Sequence, residues 1–260
     1  MWEKAELDRL YDMIFRRKSV RKYDQTALDQ ATLDSILQRA GSLTSPLPAT
    51  LPAGQTAFRL LARSQIKGMA VKAPHYLAIY AREGLVSRAN AAFKLQQIGL
   101  WLSAQGIGSV WLGMPNPASD VKQADGLPFA IMLGLGHPAE ELHRKSVSEF
   151  KRKALPEITN LRGMEDMLEA VRLAPPAVNR QPWYLTGCDP VLRLHYKSGR
   201  FISKAMLGDM PQFDAGIALC HLWLAAEKTS RFFSFALEQP PKEARSGHTY
   251  VWTVNLLKSL

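Results

Sequence analysis

The strongest constraint on the fold of this chain is an internal repeat of its hydrophobic pattern. The two longest apolar helices that the sequence predicts align on Leu100-Trp101-Leu102 and Leu222-Trp223-Leu224, with an offset of 122 residues. The same offset brings the apolar segment 130–133 onto 252–255, and both segments lie in predicted strands. Because each strand keeps the offset of the helix before it, we interpret the pattern as a degenerate internal duplication.

Hydrophobic spacing predicts the helices and strands of each half. The predicted helices cover 3–16, 29–40, 57–67, 89–105, 164–173 and 214–227, and the predicted strands cover 75–80, 110–112, 129–134, 192–196 and 250–256. Gly106 is placed to end the fourth helix. The segment 41–54, rich in Pro and Ser, is typical of a loop, and the polar segment 139–160 is typical of a linker. We therefore predict two domains, 1–155 and 156–260.

The chain is strongly basic. Its 260 residues carry a formal charge of +10, and its isoelectric point is about 9.7. Such a charge fits a nucleic acid, a membrane surface or a phosphorylated small molecule as the partner. The sequence has no zinc-finger, RNA-recognition or helix-turn-helix signature. The positive residues concentrate at 16–22 and 144–153, and two short clusters suit a compact anion site at least as well as a long polyanion.

The sequence predicts neither a membrane anchor nor a disulfide framework. No uninterrupted apolar run approaches the roughly 18 residues that a membrane-spanning helix needs, and the charged N-terminus is not typical of a signal peptide. The two cysteines, Cys188 and Cys220, are too few for a disulfide framework and lack the spacing of metal ligands. We therefore expect buried or indifferent thiols in a cytoplasmic protein.

A cluster of basic residues follows the first predicted helix, at Arg17-Lys18-Ser19-Val20-Arg21. If this segment is extended, residues 17, 19 and 21 point to one side, because side chains alternate along an extended chain. Two guanidinium groups and a hydroxyl on one side form a clamp for phosphate, since arginine presents paired donors to phosphate oxygens. The alternative is a solvated basic turn at the C-terminus of a helix, where the helix dipole favours cations.

The segment 174–183, Ala-Pro-Pro-Ala-Val-Asn-Arg-Gln-Pro-Trp, has much of its backbone fixed by three prolines. A rigid and mostly apolar loop suits the face or edge of a flat ring, and Asn179 or Gln181 can supply amide hydrogen bonds to it. The alternative is a proline-rich turn that links a helix to a strand. Trp183 is expected in the core rather than against a ligand.

Together these motifs resemble the nitroreductase-like family of FMN-dependent oxidoreductases. The segment 17–23 is similar to that family's phosphate motif, Arg-Arg-Ser-Val-Arg-x-Phe, and 174–183 is similar to its Ala-Pro-Ser-Ala-x-Asn-x-Gln-Pro-Trp motif. A third match is 106–113, Gly-Ile-Gly-Ser-Val-Trp-Leu-Gly, followed by Gly-His-Pro at 136–138 in place of the usual Gly-Tyr-Pro. The resemblance implies an α+β protein with the nitroreductase fold, in which helices flank a central, mostly antiparallel sheet.

The resemblance also implies which residues bind FMN. The implied residues are Arg17, Lys18, Ser19 and Arg21 at the phosphate and ribityl chain, Leu112, Gly113 and Met114 at the isoalloxazine through backbone groups, Arg144 or Lys145 completing the phosphate site, and Pro176, Ala177 and Asn179 against the ring. No metal ligand is implied, and no catalytic side chain either, because the family often relies on flavin and solvent for protons. Its members are usually intertwined homodimers, and the proline-rich motif reaches the flavin of the partner subunit.

Each half of this chain lacks the motif that the other half keeps. The first half has Leu-Thr-Ser-Pro-Leu-Pro at 43–48 where the proline-rich motif is expected, and the second half has no Arg-x-Ser-x-Arg before its first helix. This is typical of the duplicated, single-chain branch of the family, the "Putative TM nitroreductase" type. The branch implies a monomer that acts as an internal pseudo-dimer, with one composite FMN site and one decayed site. Pro176 replaces the usual serine, so a hydroxyl contact is lost.

The function implied by the resemblance is hydride transfer from NAD(P)H to a nitroaromatic, a quinone or a similar small acceptor. Two alternatives stay open. One is a flavin store or redox sensor without efficient turnover, and the other is a basic protein that binds nucleic acid or an anionic surface on a decayed flavoprotein fold. The loops 41–56 and 197–212 are expected to select the acceptor.

Overall fold

The structure, a computed structural model, describes residues 2–68, 71–197, 210–236 and 247–258. The chain divides into two compact units, Met1–Glu149 and Phe150–Leu260. Each unit combines helices with an antiparallel sheet of its own. The boundary predicted from the sequence, after residue 155, lies inside the second unit.

The first unit is built on a five-stranded antiparallel sheet. Its elements are α1 (Lys4–Ile14), α2 (Gln30–Ala40), β1 (Thr56–Leu61), β2 (Ile66–Lys67), β3 (His75–Ala81), α3 (Leu85–Ala104), β4 (Gly108–Leu112), β5 (Asn116–Pro117), β6 (Gln123–Ala124) and β7 (Leu127–Gly136). The sheet order is β1-β3-β7-β4, with β6 paired to β7 outside this path, while β2 and β5 pair separately. α3 is apolar around most of its circumference, so it is buried along most of its length.

The second unit has a four-stranded antiparallel sheet. Its elements are α4 (Leu155–Ile158), α5 (Glu165–Arg172), β8 (Trp183–Cys188), β9 (Val191–Lys197), α6 (Met210–Lys228), β10 (Arg231–Ala236) and β11 (His248–Lys258). The strand order is β10-β11-β9-β8. α6 is buried from Phe213 to Ala226 and packs against α5 and the sheet.

The sheets of the two units share one strand order. In the first unit β1, β3 and β7 are successive neighbours, and β4 pairs with the free side of β7. In the second unit β8, β9 and β11 are successive neighbours, and β10 pairs with the free side of β11. α3 connects β3 to β4 along the chain, as α6 connects β9 to β10. This common order supports the internal duplication, which stays a prediction.

Local signals explain where two of the helices begin and end. α2 begins at Asp29, whose carboxylate accepts the backbone N–H of Thr32 at 2.8 Å and satisfies a free donor of the first turn. α3 ends just before Gly106, whose φ of 80° lies in the left-handed region that glycine adopts without strain. The predicted role of Gly106 as a helix stop is confirmed.

The helix predicted over 57–67 is wrong. This stretch contains most of β1, a single 3-10 turn and β2. β1 pairs with β3 in antiparallel register from Thr56–Ala81 to Leu61–Tyr76. The apolar spacing fits a strand as well as a helix over so few residues, and the pairing partner decides between them. Further elements lie outside the predicted helices and strands, namely β5, β6, β8, β10 and the short α4 inside the predicted linker.

The structure also bears on the expectations about membranes, metals and cysteines. Within the described ranges, no helix has the length and apolarity to cross a membrane, and no group of three or more His, Cys, Asp or Glu side chains could hold a metal ion. Cys220 is buried, which raises the pKa of its thiol, and Cys188 is exposed. Residues 198–209, most of the predicted acceptor-selecting loop 197–212, lie outside the described residues.

Candidate functional site

The basic segment after α1 is held between two β-bridges and lies antiparallel to residues 138–143. In its middle, the N–H of Val20 donates to the carbonyl of Ser109 at 3.0 Å, and the Val20 side chain is fully buried. At its end Tyr23 is buried, and the Tyr23 hydroxyl donates to the carbonyl of Gly134 at 3.1 Å. The segment therefore has the extended course that the predicted phosphate clamp requires.

Arg17 and Arg144 lie together at the start of this segment. Arg17 is only 5% exposed, and its guanidinium donates to Ser19 Oγ at 3.2 Å. The Arg144 guanidinium donates to the Arg17 carbonyl, and the Arg144 N–H donates to the Arg16 carbonyl at 2.7 Å. Burial lowers the pKa of Arg144, and Glu149 opposes that shift. The structure thus brings together three of the predicted phosphate-binding residues.

Glu140 organises the other end of the segment, a role that the sequence did not predict. Its Oε1 accepts the backbone N–H of Arg21 at 2.6 Å and that of Lys22 at 3.1 Å, and its Oε2 lies 3.8 Å from Lys18 Nζ. The hydrogen bond from Arg21, helped by Lys22 and Lys18, holds the pKa of Glu140 below its usual value. The feature of the sequence that could have indicated this role is the position of Glu140, an acidic residue just after the Gly-His-Pro turn.

Arg21 and Lys145 are exposed, and Lys145 Nζ lies 3.8 Å from a carboxylate oxygen of Glu141. A cavity of about 650 Å³ opens at the C-terminal end of α1 and is lined by Phe15, Arg16, Glu141, His143 and residues 144–147. Burial lowers the pKa of His143, which favours the neutral form of its ring. Arg16, Arg144 and Lys145 leave the cavity with more cations than carboxylates, which favours an anion.

The residues predicted to approach the flavin ring follow β4. The Leu112 side chain is buried in the core and its backbone pairs with Met132 of β7. The Leu112 side chain is therefore not available to a ligand, and the backbone contact of Leu112 with the ring stays a prediction. Gly113 is exposed, and Met114 is 79% exposed, a high value for a large apolar side chain. A flexible thioether beside an exposed glycine suits contact with an apolar surface.

The proline-rich segment lies in the second unit between α5 and β8, and its side-chain amides are already in use. Asn179 Nδ2 donates to the Lys151 carbonyl at 2.9 Å, and Asn179 Oδ1 accepts from the Arg152 guanidinium. Gln181 is 1% exposed and bonds the Lys153 N–H at 2.6 Å and the Arg172 carbonyl at 2.9 Å. Gln181 thus anchors the segment within its own unit, which differs from the expected hydrogen bond to a ring.

Pro176 and Ala177 occupy the start of the same segment and are half-buried. A 3-10 turn, Ala177–Asn179, begins directly after Pro176. Asn179 has a φ of 56°, in the left-handed region that asparagine tolerates better than most residues. The structure therefore places the three predicted ring-contacting residues of the second unit on one short, internally braced turn.

Asp214 of α6 is a buried acid whose role the sequence did not predict. It is 3% exposed, and its Oδ1 accepts the backbone N–H of Ala177 at 2.8 Å. Burial raises the pKa of Asp214 to about 8, and the hydrogen bond from Ala177 opposes that shift. No local sequence pattern marks this pair, because its members are 37 residues apart.

The groups at the basic segment fit a phosphate. Arg17 and Arg144 supply guanidinium donors, Ser19 supplies a hydroxyl, and the exposed Arg21 adds a third guanidinium nearby in the chain. Such a donor set binds and orients an anion, and it offers no activated nucleophile. The chemistry of any reaction at this site would therefore come from a bound cofactor.

This chain is similar to known proteins in sequence and in fold. A family described as "Putative TM nitroreductase" matches residues 9–226. A "putative nitroreductase" of Thermotoga maritima is similar in fold, with a TM-score of 0.63 and 19% identity, covering 95% of this chain and 93% of that chain. An "FMN-dependent Nitroreductase" of Clostridium difficile R20291 gives a TM-score of 0.40 and 21% identity, covering 52% of this chain and 91% of that chain. No curated protein matches. The Thermotoga likeness confirms the predicted α+β fold class.

Proposed function

This chain belongs to the nitroreductase family described as "Putative TM nitroreductase", and on that premise we propose that it is an FMN-dependent oxidoreductase. It transfers hydride from NAD(P)H to a nitroaromatic, a quinone or a similar small acceptor. The observation that carries the proposal is the shared network of Arg17, Ser19 and Arg144, which gathers phosphate donors at the family's phosphate motif.

The FMN phosphate binds at the basic segment in this proposal. The residues that hold it are Arg17, Ser19, Arg21, Arg144 and Lys145. Guanidinium groups suit the task because they present paired donors to phosphate oxygens. Glu140 holds the Arg21 backbone in place and lies 3.8 Å from Lys18 Nζ, so the Glu140 carboxylate offsets much of the charge that Lys18 would offer to the phosphate.

The isoalloxazine ring meets backbone groups of Leu112 and Gly113 and the exposed Met114. When bound, FMN supplies the hydride chemistry, and the protein supplies binding, orientation and electrostatics. Backbone N–H donors at the N1–C2 carbonyl edge of the ring would stabilise negative charge there. Pro176, Ala177 and Asn179 remain predicted ring contacts from the second unit.

We also propose one FMN per chain and a monomeric protein. The phosphate motif occurs before β1 and has no counterpart before α5, whereas the proline-rich motif occurs only in the second half of the sequence. A single set of phosphate residues and a single proline-rich segment suffice for one flavin and not for two.

The test of the phosphate assignment is flavin retention by the double variant Arg17→Ala/Arg21→Ala. We expect the wild-type protein to retain FMN and the variant to lose it, because two of the guanidinium groups are removed. Arg9→Ala/Arg162→Ala is the matched control, since it removes the same charge from two exposed arginines outside the site. Arg21→Ala alone leaves the buried Arg17 in place and should weaken FMN binding without disturbing the core. Unchanged flavin content in the double variant would overturn the assignment.

Reduction kinetics separate an enzyme from a flavin store. NADH or NADPH should bleach the flavin absorbance, and 4-nitrobenzoate or 1,4-benzoquinone should restore it over many cycles. A protein that holds FMN but is not reduced by either nicotinamide would act as a store or sensor, and the proposed turnover would then be wrong.

A further inference from the structure

The proline-rich segment is braced at its two ends by different groups. At its C-terminal end, Asn179 and Gln181 bond residues 151–153. At its N-terminal end, the Ala177 N–H donates to Asp214 Oδ1 at 2.8 Å. Asp214 lies on α6, the apolar helix that packs against the sheet of this unit. The acceptor carboxyl therefore belongs to a rigid element.

The sequence of the segment explains why a hydrogen-bond acceptor for the Ala177 N–H is important. Pro175 and Pro176 have no backbone N–H, so Ala177 carries the first amide donor after Ala174. Ala177 also starts a 3-10 turn, and the first N–H groups of such a turn have no partner within it. The Asp214 carboxyl therefore acts as a cap that comes from a distant part of the chain.

A buried carboxyl group is an unfavourable cap when it is charged. Asp214 is 3% exposed, so burial disfavours its charged form, and the hydrogen bond from the Ala177 N–H opposes that effect. Apart from Asp214 and His221, the buried residues of α6 from Phe213 to Ala226 are apolar or small, so the buried carboxyl of Asp214 points to a positional role rather than a packing one.

We propose that Asp214 is the positioning residue of the proline-rich segment: by accepting the Ala177 N–H, it fixes Pro176 and Ala177 for contact with the ring of the cofactor. The contact with the cofactor ring rests on the proposed function. The hydrogen bond to Asp214 also limits the contacts that the segment can make with a flavin, because the Ala177 N–H is occupied and cannot donate to a flavin at the same time. Pro176 and Ala177 then meet the ring through apolar contact.

The test compares Asp214→Ala, which removes the acceptor, with Asp214→Asn, which keeps an acceptor oxygen at nearly the same volume. Hydrogen exchange at the Ala177 amide reports the contact without flavin. We expect about a tenfold loss of protection in Asp214→Ala and near-wild-type protection in Asp214→Asn. The affinity for FMN should follow the same pattern, about tenfold weaker for alanine and restored by asparagine. Asp166→Ala, at an exposed acid on α5, is the matched control.

A second variant covers the case in which Asp214→Ala does not fold. Ala177→Pro deletes the donor and leaves Asp214 in place, and proline is tolerated at the first position of a helical turn. It should weaken FMN binding to a similar extent. Wild-type protection of the Ala177 amide in a folded Asp214→Ala protein, or equal loss of FMN affinity in the alanine and asparagine variants, would overturn the positioning role. If the wild-type protein binds no FMN, the proposed function fails, while the exchange measurement still decides the role of Asp214.

Discussion

Glu140 and Asp214 each hold a segment of the candidate site through a backbone N–H, but in opposite electrostatic environments. Glu140 is partly exposed, and the hydrogen bonds from Arg21 and Lys22 lower its pKa. Asp214 is buried, and burial raises its pKa to about 8. The contribution of Glu140 to stability is therefore lost only in acid, below its usual pKa, whereas Asp214 reduces stability as its carboxyl becomes charged.

Asp214→Asn should stabilise the protein, and the gain should grow with pH. The folded state holds the Asp214 proton up to about pH 8, whereas the ordinary pKa of an exposed aspartate is 3.8, so the folded state binds more protons between these limits. Stability of the wild-type protein therefore falls as the pH rises through this range, and asparagine removes that slope. The gain above pH 8 should be on the order of a few kcal/mol.

Urea unfolding of both proteins at about pH 5, 7 and 9 measures the effect through the free energy of unfolding. Asp166→Asn, at an exposed acid, should show no comparable slope. A gain from Asp214→Asn that is the same at all three pH values would contradict a buried acid with a raised pKa.

Among the elements of the first unit, β4 determines where the basic segment, the proposed phosphate-binding segment, lies. β4 is the last strand of its sheet, and the N–H of Val20 bonds the carbonyl of Ser109 within it. At Gly108 an added Cβ would lie 2.9 Å from Val20 Cγ1, closer than real Cβ contacts come. The missing side chain at Gly108 therefore lets the basic segment pack directly on the strand.

Gly108→Ala should displace Val20 and, with it, the phosphate donors on either side. Overpacking of this kind costs about 1–3 kcal/mol, and FMN affinity should fall with stability. Urea unfolding and FMN titration measure the two effects. Gly41→Ala is the control, because its Cβ would meet the Gln38 carbonyl oxygen at 3.4 Å, an ordinary contact. Wild-type FMN affinity in Gly108→Ala would show that β4 does not position the segment.

The elements also show what could be predicted from the sequence and what could not. α3 and its end at Gly106 follow from a long apolar run and a glycine, which are local signals. β1 was mistaken for a helix because its identity depends on pairing with β3. The phosphate motif is likewise local, so its residues were predicted, but its support by Glu140 was not. Arg21 and Glu140 are 119 residues apart in the sequence, and no pattern within either segment indicates their contact.

For the whole molecule, the central observation is one strand order used in both units. The chain belongs to the nitroreductase family and has an α+β fold, whereas the duplication, the domains 1–155 and 156–260 and the single flavin remain predictions. The residues of the proposed phosphate site contribute part of the basic charge of the chain. One flavin per chain is the consequence that depends most directly on each half keeping a different motif.

The flavin content of the purified wild-type protein is the most direct test of the proposed single FMN site. The protein, saturated with FMN and freed of excess, would be denatured, and the released flavin would be identified by chromatography and divided by the protein concentration. We expect a yellow protein with one FMN per chain. A colourless protein that binds no FMN would contradict the proposed function, and two FMN per chain would contradict the single site.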